Sequence, residues 1–100
     1  MNKNPKITII TACKNSSLTI EETIKSVIAQ KYNNVEYIII DGKSDDSTLS
    51  IINKYKQHIH LIISESDKGI YDAFNKGLNL ASGDLIGFVN SDDVLTQNAM

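Results

Sequence analysis

The chain has 100 residues, a formal net charge of −2, 41% apolar and 22% charged side chains, which is ordinary globular usage and suits one domain with a modest core. All ten basic residues are lysines, with no basic block; this argues against duplex nucleic acid as a main partner and leaves no arginine for bidentate phosphate clamping. The single cysteine, Cys13, cannot form an internal disulfide and argues against a thiolate zinc site.

Near the N-terminus, Lys3 and Lys6 precede only a short apolar stretch, interrupted by Thr8 and Thr11. This is unlike a secretory leader, and the run from Tyr37 to Ile40 is too short to span a bilayer. The expected location is cytoplasmic, with peripheral attachment at the inner face of the membrane left open. Asn15-Ser16-Ser17 fits a glycosylation sequon, which carries little weight without a leader.

The first strand is predicted over Ile7 to Ala12. A helix follows from Ile20 to Gln30, with Ile20, Ile24, Val27 and Ile28 on one face and a capping box at Thr19 and Glu22. The second strand spans Val35 to Ile40. The second helix spans Asp46 to Lys56, capped by Ser44 or Asp45, with Leu49, Ile52 and Tyr55 inward. The third strand covers Ile59 to Ile63. The third helix covers Ile70 to Ala81, with Ile70, Phe74, Leu78 and Ala81 inward. Gly77 inside it costs roughly 1 kcal/mol relative to Ala, and Gly83 fits a left-handed stop position. The fourth strand spans Leu85 to Val89.

These runs are nearly continuous rather than alternating, as in strands buried on both faces. The order β-α-β-α-β-α-β predicts an α/β fold: a Rossmann-like three-layer sandwich with a mainly parallel sheet, one domain over residues 1–100. Ligands of such sheets sit beyond the C-terminal strand ends. Those ends carry Asp41, Asp67, Asp92 and Asp93, a carboxylate cluster that calls for a positive partner. Oxygen ligands of this kind suit Mg²⁺ or Mn²⁺. Singly, each residue has a plainer reading: Asp41 as a helix cap, Asp92-Asp93 as a solvated turn. Cys13 reads as a small buried hydrophobe, and His58 and His60 as surface residues away from the ligand edge. Neither G-x-G-x-x-G nor a Walker-type loop is present, so the corresponding phosphate cradles are lacking.

Together the strand-end motifs resemble the N-terminal half of family 2 glycosyltransferases of GT-A fold, from about Ile7 to Leu95. The matching pieces are Asn15, the Thr19 to Gln30 helix and the D-x-x-S-x-D-x-T pattern at Asp41, Ser44, Asp46 and Thr48. They continue with Asp67-Lys68-Gly69-Ile70-Tyr71-Asp72-Ala73, Asn75-Lys76-Gly77, Ala81-Ser82-Gly83-Asp84 and Phe88-Val89-Asn90-Ser91-Asp92-Asp93. The Asp67 to Gly77 stretch resembles a subgroup associated with bacterial surface polysaccharides.

The resemblance implies a nucleotide-sugar donor, a UDP-sugar by family tendency, and a sugar or lipid-linked acceptor, with transfer by inversion. It implies that Asp41 accepts a hydrogen bond from the base and that Thr11 lies near base and ribose. It makes Lys68 a phosphate contact, Asp93 a direct metal ligand, and Asp92 a ligand of ribose or metal-bound water. Lys14 stands where many relatives carry an aromatic residue, and Asn90 where many carry Asp. The general base is expected beyond residue 100, so the 100 residues alone are expected to bind donor without catalysing transfer. The alternative is a non-catalytic α/β module that binds or self-associates through an open sheet edge.

Overall fold

The computed structural model describes residues 5–30 and 32–92. In chain order the elements are β1 (Ile7–Cys13), α1 (Ile20–Ile28), β2 (Val35–Asp41), α2 (Thr48–Asn53), a 3₁₀ turn (Lys56–His58), β3 (Leu61–Ser64), α3 (Ile70–Leu80) and β4 (Leu85–Asn90). The strands form one sheet in the order β3-β2-β1-β4, and every pair is parallel. No helix among the described residues is long and apolar enough to cross a membrane.

Side-chain alternation distributes the strands between two cores. Ile9, Cys13, Tyr37, Ile39 and Val89 pack with Ile20, Ile24 and Val27 of α1 and Ile52 of α2. Ile10, Ala12, Ile38 and Ile40 face the other way, toward Ala73 and Phe74 of α3. The predicted three layers are therefore present. In β2, residues 37 to 40 are buried on both faces, which explains why that run does not alternate. β4 is an edge strand and shows more apolar surface: Leu85, Ile86 and Phe88 are exposed, with the Phe88 ring against Phe74 at a centroid distance of 4.5 Å.

Several local expectations are corrected. Thr19 precedes α1 but makes no side-chain cap. The Ser16 carbonyl instead accepts the Thr19 and Ile20 N–H groups, so a turn takes the Thr19 N–H that the capping box assigned to Glu22, and Glu22 is exposed. α2 begins later and ends earlier than its pattern. Ser44 is committed elsewhere, Asp46 Oδ1 accepts the Thr48 N–H at 2.9 Å, and past Asn53 the chain tightens into i to i−3 bonds. β3 starts at Leu61 rather than Ile59. On α3 Phe74 packs inward as expected, beside the buried Ala73 and Gly77, whereas Leu78 is exposed.

Both glycines flanking the end of α3 answer to close packing. A Cβ on Gly77 would lie 2.5 Å from Ile10 Cγ2, and one on Gly83 would lie 2.5 Å from Thr8 Oγ1 and 2.7 Å from the Thr8 nitrogen. Gly83 is not left-handed; α3 stops because Ala81 turns extended. Gly77→Ala, which would gain about 1 kcal/mol in a solvent-facing helix, is expected here to cost about 1–3 kcal/mol by overpacking. Urea unfolding of the variant checks the sign.

Near the N-terminal ends of β1 and β2, Glu36 ties three segments together. Its Oε1 accepts the Thr8 hydroxyl at 2.8 Å and the Ser82 N–H at 2.9 Å, its Oε2 accepts the Ser82 hydroxyl at 2.9 Å, and Lys6 Nζ lies 3.5 Å away. Burial raises the Glu36 carboxyl, but these donors outweigh it and bring it from an ordinary 4.5 down to about 2. A carboxyl lowered on folding stabilises fully above its unfolded value and loses that contribution as pH falls through the folded one. The expected outcome is a loss on the order of 2–3 kcal/mol between about pH 5 and pH 2. Glu36→Gln should flatten that part of the stability-against-pH curve, as followed by circular dichroism.

Candidate functional site

The sheet order reverses between β1 and β4: β1 connects onward to β2 on one side, and α3 returns the chain to β4 on the other. Crevices at such switch points hold the ligands of open α/β sheets. Here a cavity of about 210 Å³ opens at that place, lined by Ala12, Cys13, Ser16, Asp67, Gly69 and Ser91 among others. A wider hollow of about 550 Å³ adjoins it, sharing Ala12, Ser16 and Ser91 and extending along Leu18, Thr19, Asn90 and Asp92.

The walls are built by a polar zipper between the loop after β1 and the loop after β2. Asn15, held at a φ of 49°, donates its N–H to Ser44 Oγ at 2.8 Å, and its Oδ1 accepts the Asp45 N–H at 2.9 Å. Next along the chain, the Ser16 N–H reaches Thr48 Oγ1 at 2.7 Å and the Ser17 N–H reaches Asp46 Oδ2 at 3.4 Å. Hydrogen bonding from Thr48 holds the Asp46 carboxyl below its ordinary value. β4 is drawn in as well, with Ser16 Oγ donating to Ser91 Oγ and Thr23 Oγ1 to the Ser91 carbonyl, both at 2.9 Å.

Asp41 anchors this arrangement. It is fully buried. Its Oδ2 accepts the Ser44 N–H at 2.9 Å and the Ser64 hydroxyl at 2.8 Å; its Oδ1 accepts the Ser44 hydroxyl at 2.5 Å and the Cys13 thiol at 3.5 Å. A carboxylate offers about four lone-pair sites, and four donors fill them. A base N–H therefore reaches Asp41 only where a serine hydroxyl turns away. Burial first, and the Asp41 charge next, push the Cys13 thiol well above its ordinary value, so Cys13 is an inert buried residue.

The other predicted residues divide. Asp67 is brought to the cavity, its carboxylate against Gly42, where a Cβ would lie 2.9 Å from Oδ2. Asp92 lies exposed in the wider hollow. Lys68 is exposed beside the cavity-lining Gly69, and its ammonium has no ionic partner among the described residues. Thr11 is not brought to the cavity: it is fully buried, with its hydroxyl 2.9 Å from Tyr37 OH. Asp93 lies outside the described residues. Among the described residues no three His, Cys, Asp or Glu gather as a metal cage. Asp92 supplies a hard oxygen donor, which fits a Mg²⁺-type ion held by one or two carboxylates and shared with phosphate oxygens. Ser16 and Ser91, which line both hollows, were given no binding role from the sequence, since the motifs that contain them drew attention to their Asn and Asp neighbours.

The glycosyl transferase family 2 model matches residues 8–100. The chain belongs to this family. A glycosyltransferase of Mycobacterium tuberculosis is 38% identical, over 93% of this chain and 36% of its own length. A poly-beta-1,6-N-acetyl-D-glucosamine synthase of Staphylococcus aureus is 35% identical, over 99% of this chain and 26% of its own. Among solved structures, S. aureus TarS 1–349 in complex with UDP-GlcNAc superposes with a TM-score of 0.85 at 28% identity, covering 93% of this chain and 28% of that one. The chain thus spans about a quarter to a third of the length of the family members it matches.

Removal of the Asp41 carboxylate strands Ser44 and Ser64 donors inside the protein. Asp41→Ala is expected to cost about 2–4 kcal/mol, and Ser44→Ala, which frees one lone pair and the Asn15 N–H, about 1–2 kcal/mol. Chemical denaturation of both variants checks the order.

Proposed function

We propose that this chain forms the donor-binding part of a glycosyltransferase that takes its sugar from a nucleotide-diphosphate donor and delivers it, with inversion, to an acceptor hydroxyl in polysaccharide assembly. The observation that carries the reading is the cavity at the β1/β4 switch point in a family 2 chain. The names of the relatives support it: one acts in poly-N-acetylglucosamine synthesis and another was solved with UDP-GlcNAc.

In this reading the diphosphate lies against the loop of Asp67, Lys68 and Gly69, with the Lys68 ammonium as the mobile cation that meets it. Asp92, with Asp93, holds a divalent ion, Mg²⁺ or Mn²⁺, whose bound charge would offset the charge growing on the departing diphosphate. Asp41 fixes the loops beneath the base, and its direct contact with a base N–H requires the Ser44 or Ser64 hydroxyl to exchange partners. Electrostatic stabilisation of the leaving group is what these residues offer to the transfer.

Amide NMR of the ¹⁵N-labelled chain tests this with UDP, without and then with substoichiometric Mn²⁺. UDP is expected to shift Cys13, Ser16, Gly42 and Gly69, and Mn²⁺ to broaden Ser91 and Asp92. A well-dispersed spectrum in which neither ligand moves those signals would refute the reading.

A further inference from the structure

The loop from Glu65 to Gly69 contributes Asp67 and Gly69 to the cavity wall, and α3 grips it through Lys76 and Asp72. Lys76 Nζ donates to the Ser66 carbonyl at 2.8 Å and pairs with Glu65 Oε1 at 3.1 Å and Asp72 Oδ2 at 3.8 Å. Asp72 Oδ2 in turn accepts the Lys68 N–H at 2.9 Å. Lys76 and Asp72 are one helical turn apart on the same face. They present a donor and an acceptor to a backbone carbonyl and a backbone N–H two residues apart in the loop. The residue between those two points is Asp67, whose Oδ1 accepts the Gly69 N–H at 3.1 Å and whose carboxylate rests on Gly42.

We infer that Lys76, with Asp72, is a positioning residue that clips the loop to α3 and so sets Asp67, Lys68 and Gly69 for a nucleoside diphosphate. This rests on the donor-binding reading above. The ion pairs alone are surface contacts of small worth. What distinguishes the clip is that it satisfies two main-chain groups of a loop that has few other fixed points: the Glu65 N–H on the Asp41 carbonyl and the Asp67 turn. Such a loop opens locally at little cost to the whole fold, so loss of the clip acts on binding before it acts on stability.

The test measures UDP affinity and amide hydrogen exchange for the unsubstituted chain, Lys76→Met, Lys76→Arg and Asp72→Asn. In Lys76→Met the amides of Lys68 and Gly69 are expected to exchange faster while sheet amides such as Ile10 and Ile38 keep their protection, which shows that the variant is folded. UDP affinity should fall roughly tenfold, the loss of one charge-assisted hydrogen bond. Lys76→Arg should restore both, and Asp72→Asn, which keeps an acceptor for the Lys68 N–H, should show a smaller change in each. Loop amides that stay protected in Lys76→Met overturn the inference, as does unchanged affinity where the unsubstituted chain binds. An unsubstituted chain that does not bind UDP overturns the donor-binding reading itself, and the role assigned to Lys76 goes with it.

Discussion

Asp41 places a carboxylate where water does not reach, and an unpaired charge there would be among the costliest features a small domain could carry. It persists because β1, β3 and the loop after β2 each bring it a donor. That requirement works in both directions. The charge is tolerated only if Cys13, Ser44 and Ser64 converge, and their convergence fixes where three strand ends stand relative to one another. The Ser44 hydroxyl passes the constraint on, accepting the Asn15 N–H while it donates to Asp41. The loop after β1 is thereby set by a residue on β2. Among the described residues no buried side-chain nitrogen or oxygen lacks a partner, so the polar framework beneath the cavity is closed upon itself.

The same framework explains the division between residues that build the site and those left to act in it. In the D-x-x-S-x-D-x-T pattern, Asp41 is taken up mostly by other side chains, while Ser44, Asp46 and Thr48 accept from main-chain N–H groups, as does Asn15. What faces outward is different in kind: an exposed lysine at position 68, an exposed carboxylate at position 92, and the small lining of Ala12, Ser16, Gly69 and Ser91. Fixed walls avoid an ordering cost at each binding event, while an exposed lysine keeps its freedom to adapt.

The architecture was legible because it depends on patterns that survive averaging. Four β-branched runs separated by helical periods specify a parallel sheet almost irrespective of detail, and the burial of β2 on both faces follows directly. Local signals failed where another contact, local or tertiary, outbid them. Thr19 and Glu22 spell a capping box, yet the Ser16 carbonyl three residues back takes the Thr19 N–H that Glu22 would have accepted from. Gly83 has the position of a left-handed stop, yet it is there because β1 passes too close for a Cβ. Gly77 seemed a weakness in a helix and is the point at which α3 can lie on Ile10. For both glycines the deciding atom belongs to another element, about seventy residues away in the chain, where no window of sequence could show it.

The site was legible to a different degree, for a reason that follows from Asp41. An acidic residue at the end of a buried strand reads the same whether it waits for a ligand or serves the fold, since both uses call for a carboxylate at that place. The two are told apart by counting donors. Asp41, with four, is first a structural residue. Asp67 accepts one hydrogen bond from the adjacent Gly69 and otherwise rests on backbone, and Asp92 stands exposed at the hollow. The capacity to meet a new positive partner is thus greater for Asp67 and Asp92 than for Asp41, and those two are the carboxylates that line the hollows at the switch point.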